Sequence, residues 1–409
     1  MPATPFGAHA CAAPSPASDK VTMQDTHLTP EQLKALIHQA FPADPPVQSV
    51  GILIDFPDAA LPDTPAWQQR REMAANWQEA LASSGFTAGL YGYRNVHCNN
   101  ADLPATAYPL SAGRALPTSA EELERGVRQS FLQVFATHPV FLAPTQLSAT
   151  APLKVAAARD GFRAATMPGF TLAMIPALRL DVEEIHSRVV SLCRLLDQAT
   201  SAHFDFCVAG QHHTLELDLR FHRAHASSGR FLDLGTAGNL PSGEAYVVPY
   251  EGDKEGIPSL SHGTMPVQFG EEVVYFHIEN NRATRVSGDG PAAAAQRERL
   301  QREPAAGNLA ELGLGVLAEL GVAPIGQVLL DEKLGLHLAF GRSDHFGGAI
   351  GAKDFSSPDE VIHIDHVYIP AIQPQITVQQ VLLVDKDGRS ITLIENDAYA
   401  IDFDAQLPS

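Results

Sequence analysis

The stretch HIDHVYI, residues 363–369, contains three side chains that can bind a metal ion or move a proton. Its β-branched and aromatic residues, and the alternation before them, predict a β-strand. Side chains two residues apart project from the same face of a strand, so His363 and Asp365 should point together while His366 points the other way. An imidazole beside a carboxylate on a rigid strand is a pair of metal ligands or an acid/base pair.

Further oxygen and nitrogen donors lie upstream in short motifs. They are Glu244 in GNLPSGEAYVVP, Glu311 in NLAELGLG, His337 in DEKLGLHLAFG, and Asp344 and His345 in RSDHFGG. We expect Glu244 to begin a strand and His337 to lie within one. Asn308, three residues before Glu311, has the spacing of a capping box and predicts the start of a helix.

Together these donors indicate a particular kind of chemistry. Two glutamates, two histidines and an aspartate suit a pair of divalent ions that share a carboxylate. A divalent ion lowers the pKa of a bound water toward about 7, so that hydroxide is present at neutral pH. None of the four cysteines lies within these motifs or forms a C-x-x-C pair, so the predicted site needs no thiolate.

The elements before this region predict an α/β domain. Thr29, followed by Pro30, has the pattern of a helix N-terminus. SVGILIDF (49–56) predicts a buried strand, and helices are predicted over 67–85 and 119–138. Strands that alternate with helices indicate a mostly parallel sheet.

The character of the chain then changes. A strongly amphipathic helix is predicted over 180–201, and from His203 onward short strands and turns dominate. We predict a disordered tail (1–28), an N-terminal α/β domain (29–185) and a C-terminal β-rich α+β domain (186–409) that binds the metal.

Composition restricts the partners. Among 409 residues, Lys and Arg total 28 and Asp and Glu total 47, giving a formal net charge of −19. A basic face is needed to bind nucleic acid or an anionic membrane, so neither partner is expected. No apolar run approaches the roughly 20 residues of a membrane span. The first twenty residues lack the basic and apolar segments of a secretory signal, and we expect a cytoplasmic protein.

The quoted motifs resemble those of the aminopeptidase T and aminopeptidase S metallopeptidases, from about residue 45 onward. The resemblance runs through NLPSGEAYVVP, AELGLG, DEKLGLHLAFG followed by GG, and HID. It implies an aminopeptidase T-like fold, a homodimer, two divalent ions (typically zinc, cobalt or manganese) and a peptide or other small-molecule substrate. The metal ligands that it implies are Glu244, Glu311, His337, His363 and Asp365.

For the reaction, we expect a metal-activated water to attack an amide carbonyl. Glu311 or Asp344 would move protons, and His345 joins this expected catalytic set. One position departs from the family pattern: the peptidases carry a tyrosine seven residues after the position of His337, and here it is Asp344. The missing phenol removes a hydrogen-bond donor that peptide hydrolysis would use.

An alternative remains open. The chain also resembles ring-opening dioxygenases of 2,5-dihydroxypyridine, which have the same fold and use one Fe(II) held by two histidines and an aspartate. His363 and Asp365 would be two of the ligands, with His337 or His345 as the third. Glu311 lies near the position of a histidine in that group, and so favours the dinuclear site. A third interpretation is a binding or assembly protein without catalysis.

Overall fold

The computed structural model describes residues 26–111 and 113–403, so almost all of the predicted tail (1–28) lies outside the described residues. The α-helices are α1 (Pro30–Ala40), α2 (Pro65–Ser83), α3 (Ala120–Leu123), α4 (Phe131–Phe135), α5 (Thr150–Asp160), α6 (Val182–Gln198), α7 (Pro291–Arg302) and α8 (Val328–Asp331). The first ten strands are β1 (Ser49–Phe56), β2 (Thr87–Arg94), β3 (Thr106–Leu110), β4 (Gln129–Ser130), β5 (Val140–Ala143), β6 (Arg163–Thr166), β7 (Ala199–Val208), β8 (Gln211–Asp218), β9 (His225–Ser227) and β10 (Ala237–Asn239). The others are β11 (Glu244–Val247), β12 (His262–Phe269), β13 (Glu272–Glu279), β14 (Arg282–Ser287), β15 (Leu309–Gly315), β16 (Leu336–Gly341), β17 (His363–Val367), β18 (Ile376–Asp385), β19 (Ser390–Glu395) and β20 (Ala398–Tyr399).

The first sheet has the order β10-β6-β5-β1-β2-β3-β4 and is parallel except at β3 and β4. The predicted mixed α/β character of this region is confirmed. Thr29 caps α1 as expected, because its hydroxyl accepts a hydrogen bond from the backbone N–H of Gln32. The boundary predicted near residue 185 stays a prediction; β10, which follows it, pairs with β6 in this sheet.

The single helix predicted over 119–138 is wrong. Ser119 does cap α3, but α3 ends at Leu123, and a short strand intervenes before α4. Gly126 lies in the break, and glycine is a poor residue for a helix interior. Within the described residues, no helix is both long and apolar enough to cross a membrane.

Two antiparallel sheets form the remainder of the fold. One has eight strands in the order β14-β13-β12-β8-β7-β18-β19-β20, and the other has five in the order β17-β16-β15-β11-β9. The hairpin predicted at Asp387-Gly388 is confirmed between β18 and β19, where Gly388 has a φ of 77°.

The five-stranded sheet has one apolar face. Buried residues of alternate positions form it: Leu312, Leu314, Leu338, Phe340, Ala245 and Val247. The Phe340 ring packs against Phe276 of the eight-stranded sheet, with ring centroids 4.9 Å apart. Burying this face against the other sheet leaves the opposite face for polar residues.

We expect Leu338→Ala to lower the free energy of unfolding by about 2–5 kcal/mol, because a fully buried leucine leaves a cavity when it is shortened. Urea unfolding followed by circular dichroism measures the loss. Val155→Ala is the control, since Val155 is 69% exposed and its loss should change stability by less than about 0.5 kcal/mol. Equal effects of the two substitutions would contradict the assigned apolar face.

Candidate metal centre

The five predicted metal ligands lie on one face of the five-stranded sheet. In the strand register, His363 is opposite Gly341, Asp365 is opposite Ala339, and Ala339 is opposite Glu311. Directly opposed residues of antiparallel strands share a face. Gly313 likewise faces His337, and Gly315 faces Glu244. The strand and the facing predicted for His363 and Asp365 are confirmed.

Glu311 lies on a strand, so the helix start predicted at Asn308 is wrong. The side-chain amide of Asn308 instead donates to Glu251 at 2.6 Å and to the Gly341 carbonyl at 3.1 Å. These contacts join the start of β15 to the end of β16. They hold Asn308 at the start of a strand, and they align Glu311 with the histidines of the neighbouring strands.

Glu311 joins the two halves of the cluster. Its Oε1 lies 3.4 Å from Nε2 of His337, and its Oε2 lies 3.1 Å from Nε2 of His363. On one side, Glu244 Oε2 lies 3.6 Å from His337 Nε2. On the other, Asp365 Oδ1 lies 3.4 Å from His363 Nε2. Two groups of three donors result, Glu244–Glu311–His337 and Glu311–His363–Asp365, and within each group the donor atoms lie within 4.8 Å of one another.

This spacing suits a metal ion. Ligand atoms about 2.1 Å from a tetrahedral ion lie about 3.4 Å from each other, close to the distances in the cluster. Oε2 of Glu244 is buried and has no hydrogen-bond partner, although it points toward His337. A buried carboxylate oxygen without a partner is unfavourable, and a bound cation would satisfy it.

In both histidines, a contact between Nδ1 and a backbone carbonyl orients the ring so that Nε2 points toward the carboxylates. Nδ1 of His363 is 2.8 Å from the Arg342 carbonyl, and Nδ1 of His337 is 3.3 Å from the Gly335 carbonyl. A carbonyl can only accept, so Nδ1 carries the proton in both rings. Nε2 then faces carboxylate oxygens, and either a proton or a metal ion must lie between them.

Without a metal ion, protons take that place. Burial lowers the pKa of His337, but Glu311 and Glu244 override this and raise the pKa to about 9. Burial also lowers the pKa of His363, and Asp365 and Glu311 raise it to about 11. Burial raises the pKa of Glu244. The metal-free cluster therefore carries two imidazolium ions at neutral pH.

Gly313 leaves free the space that the His337 imidazole occupies. A Cβ added at Gly313 would overlap the His337 imidazole, which lies across that residue. A Cβ at Gly315 would overlap the backbone of Lys333. The small residues of AELGLG thus have a steric function, since larger side chains would fill the space of the donors.

Sequence reasoning missed Lys333, which lies in the quoted motif DEKLGLHLAFG. Its side chain is 2% exposed, and its ammonium group donates to Oε1 of Glu244 at 2.5 Å and to Glu332. Burial lowers the pKa of Lys333, but the two carboxylates more than compensate and raise it. Burial raises the pKa of Glu332 to about 8. The available signal was a lysine four residues before His337, at the point where the charged run DEK meets an apolar segment.

Asp344 and His345 lie outside both groups of three donors. Asp344 forms an ion pair with Arg342 at 2.5 Å and is partly exposed. The His345 ring lies 5.3 Å from the His363 ring, and burial lowers the pKa of His345 to about 4, so this imidazole is neutral. The predicted catalytic roles of these two residues stay predictions.

Phe346 places this loop over the ligand face. Its ring centroid is 4.8 Å from Tyr246 on β11 and 5.3 Å from His363 on β17. Tyr246 is two residues after Glu244 and shares its face, so a phenol borders the cluster although position 344 supplies none. Sequence reasoning missed Tyr246, which lies within the quoted motif NLPSGEAYVVP.

The fold and the cluster together define a mixed α/β protein with a candidate metal centre. Comparison of folds finds a 2,5-dihydroxypyridine dioxygenase from Pseudomonas putida KT2440, at 14% identity and a TM-score of 0.57, over 92% of this chain and 100% of that chain. It also finds wild-type AmpT (aminopeptidase T) from Thermus thermophilus, at 14% identity and a TM-score of 0.51, over 91% of this chain and 98% of that chain. No protein-family model and no curated sequence matches the chain. The predicted resemblance is confirmed as a shared fold.

We expect Gly313→Ala to weaken divalent-metal binding by about tenfold or more, because the added methyl group displaces the His337 imidazole. Isothermal titration of the metal-free protein measures the affinity. His212→Ala is the control, since His212 is exposed and pairs with Asp205 away from the cluster. Unchanged affinity in Gly313→Ala would exclude His337 as a ligand.

Metal binding should release protons. At pH 7 both His337 and His363 are protonated in the metal-free protein, so filling both groups should release about two protons per chain. Affinity should therefore fall steadily as the pH is lowered from 9 to 6. Titration in buffers of different ionisation enthalpy counts the protons. A proton count of zero would contradict the exchange of imidazole protons for metal ions.

Proposed function

We propose that this protein is a metal-dependent hydrolase of the aminopeptidase T type, acting on an amide or peptide bond. The observation that carries the proposal is that Glu311 belongs to both groups of three donors, with one oxygen toward each histidine. A shared carboxylate is the arrangement expected for a pair of ions that act together on one substrate. Zinc, cobalt and manganese are the ions that we propose.

The composition of each group supports this choice. Each group has one histidine and two carboxylates, whereas the Fe(II) site of a ring-cleaving dioxygenase has two histidines and one carboxylate. When bound, divalent ions lower the pKa of water and polarise a carbonyl oxygen. In this proposal the five donors hold the ions, and the carbonyls of Arg342 and Gly335 hold the two imidazoles in place.

The remaining residues have separate tasks in the proposal. Both oxygens of Glu311 face histidines, which leaves Asp344 as the carboxylate proposed to move protons, beside the neutral imidazole of His345. Burial raises the pKa of Tyr246, so its phenol stays protonated and supplies a hydrogen-bond donor near Glu244. The Phe346 ring packs against Tyr246 and His363, and in this proposal it limits the access of water to the ligand face. The homodimer and the cytoplasmic location belong to the same proposal.

The test is hydrolysis of aminoacyl amides by the metal-loaded protein. We expect turnover with zinc, cobalt or manganese, and we expect Glu311→Gln to reduce kcat/KM by at least about a hundredfold, because both groups lose a charged donor. His212→Ala should retain the wild-type rate. The rate is measured as the amount of free amine released over time, which chromatography quantifies for a set of aminoacyl and dipeptide substrates. No cleavage of any substrate by protein with a full complement of metal would refute the proposal.

The second candidate is a ring-cleaving Fe(II) dioxygenase. Two observations favour it: the shared fold with the Pseudomonas putida dioxygenase, and the His345 ring 5.3 Å from His363, where a third ligand could be recruited. Oxygen uptake that requires both Fe(II) and a dihydroxylated ring would support it, especially if His345→Ala abolished the uptake. Absence of uptake across such rings would exclude it.

A further inference from the structure

Among the differences between the two groups of donors, one is the buried lysine, Lys333, beside the first group. Its ammonium group lies against Glu244, a donor of the first group only, and it is as buried as the donors themselves. The backbone of Lys333 is held in place, because its carbonyl accepts a hydrogen bond from the Leu317 N–H at 2.9 Å. Gly315 leaves the space that this backbone requires.

We propose that the Lys333 ammonium group competes with a metal ion for Glu244. The group Glu311–His363–Asp365 then binds a divalent cation first, and the group Glu244–Glu311–His337 binds its cation more weakly. The inference rests on the proposed metal centre but not on the reaction that is catalysed there. It assigns a function to a residue that is not itself a metal ligand.

Two physical effects act in the same direction. First, the ammonium group occupies Oε1 of Glu244, so only Oε2, the buried oxygen without a partner, is available to a metal ion. Second, a fixed positive charge beside a cation site opposes a second positive charge, and the opposition is strong in a poorly solvated interior. In the second group, each donor carboxylate faces a histidine instead.

The ammonium group is not easily displaced. Its second partner, Glu332, is also sequestered, with a side chain that is 16% exposed. Removing a buried lysine from two carboxylates would leave uncompensated charge, which is strongly unfavourable. Lys333 therefore remains beside Glu244 when the first ion binds, and the difference between the groups persists.

The consequence is ordered loading. At limiting metal the chain holds one ion, at His363, and the Glu244 position fills only at higher concentration. An activity that needs both ions would then depend on metal concentration over a range set by Lys333. A fixed cation at this place also lies beside a cluster of four acidic side chains: Glu244, Glu311, Glu332 and Asp365.

The experiment titrates metal-free protein with Mn²⁺ and, separately, with Zn²⁺ by isothermal calorimetry, with elemental mass spectrometry after gel filtration. For the wild type we expect two equivalents whose dissociation constants differ by at least about tenfold. The variant is Glu332→Gln/Lys333→Met, which removes the ammonium group together with the acidic character of its second partner. We expect it to bring the two constants within about threefold of each other.

Two controls complete the design. Glu332→Gln alone keeps the ammonium group beside Glu244, so the separation of the constants should persist. His363→Ala should remove the tighter event and leave the weaker one. Circular dichroism and Tm establish that each variant is folded before its titration is interpreted.

The outcomes separate clearly. Two equal constants in the wild type, or an unchanged separation in the folded double variant, overturns the inference. One equivalent in the wild type and two in the double variant supports it, and one equivalent in both overturns it. Because no readout involves turnover, unequal sites in a protein that cleaves no amide would refute the proposed function and leave this inference standing.

Discussion

A buried carboxylate on the middle strand of a five-stranded sheet is the constraint on which the structure of this region depends. The Glu311 side chain is 4% exposed, so its charge receives almost no stabilisation from water. An isolated carboxylate in such a place would be prohibitively unfavourable, and positive groups must approach both of its oxygens. The imidazoles of His337 and His363 do so, and hydrogen bonds from both hold the pKa of Glu311 below its ordinary value although burial raises it.

That requirement explains the residues around it. An imidazole can approach a carboxylate on the next strand only if the residue across from it is small, which accounts for Gly313. The histidine must also present Nε2, so its Nδ1 requires a backbone acceptor, and Gly335 and Arg342 supply one each. The opposite face of the sheet is apolar because it packs on the eight-stranded sheet, and this burial holds the donor strands in register.

The parts that sequence predicted correctly are those where local pattern and tertiary environment agree. Alternation in HIDHV correctly assigned His363 and Asp365 to one face, because side-chain direction in a strand is a local property. Thr29 was recognisable as a cap, since a cap uses only the residues next to it. Motif resemblance brought together five donors that lie far apart in the chain, which periodicity alone could not do.

The predictions that failed concern residues whose contacts lie far away in the chain, where local pattern and tertiary environment disagree. Asn308 has the sequence pattern of a helix cap, but a strand follows it, and its side-chain amide donates to Glu251 and Gly341, 57 and 33 residues away in the chain. Such contacts exist only in the folded protein, and they override local propensity. Lys333 was missed for a related reason: nothing in DEKLGLH shows that its ammonium group is buried between Glu244, 89 residues away, and Glu332. Tyr246 was passed over because its importance depends on Phe346 reaching it across the sheet.

The charges of the donors also bear on which chemistry the cluster suits. A single ion with two neutral histidines and one carboxylate keeps a modest charge and leaves open positions for oxygen and substrate. Here four acidic side chains, Glu244, Glu311, Glu332 and Asp365, lie around two histidines and one lysine, so the charge of the cluster depends on the protons that the imidazoles hold. A divalent ion that displaces an imidazole proton replaces one positive charge with two. The proposed pair of cations would therefore take the places of the two imidazole protons, with the Lys333 ammonium group beside them, whereas the fold is shared with both a dioxygenase and AmpT.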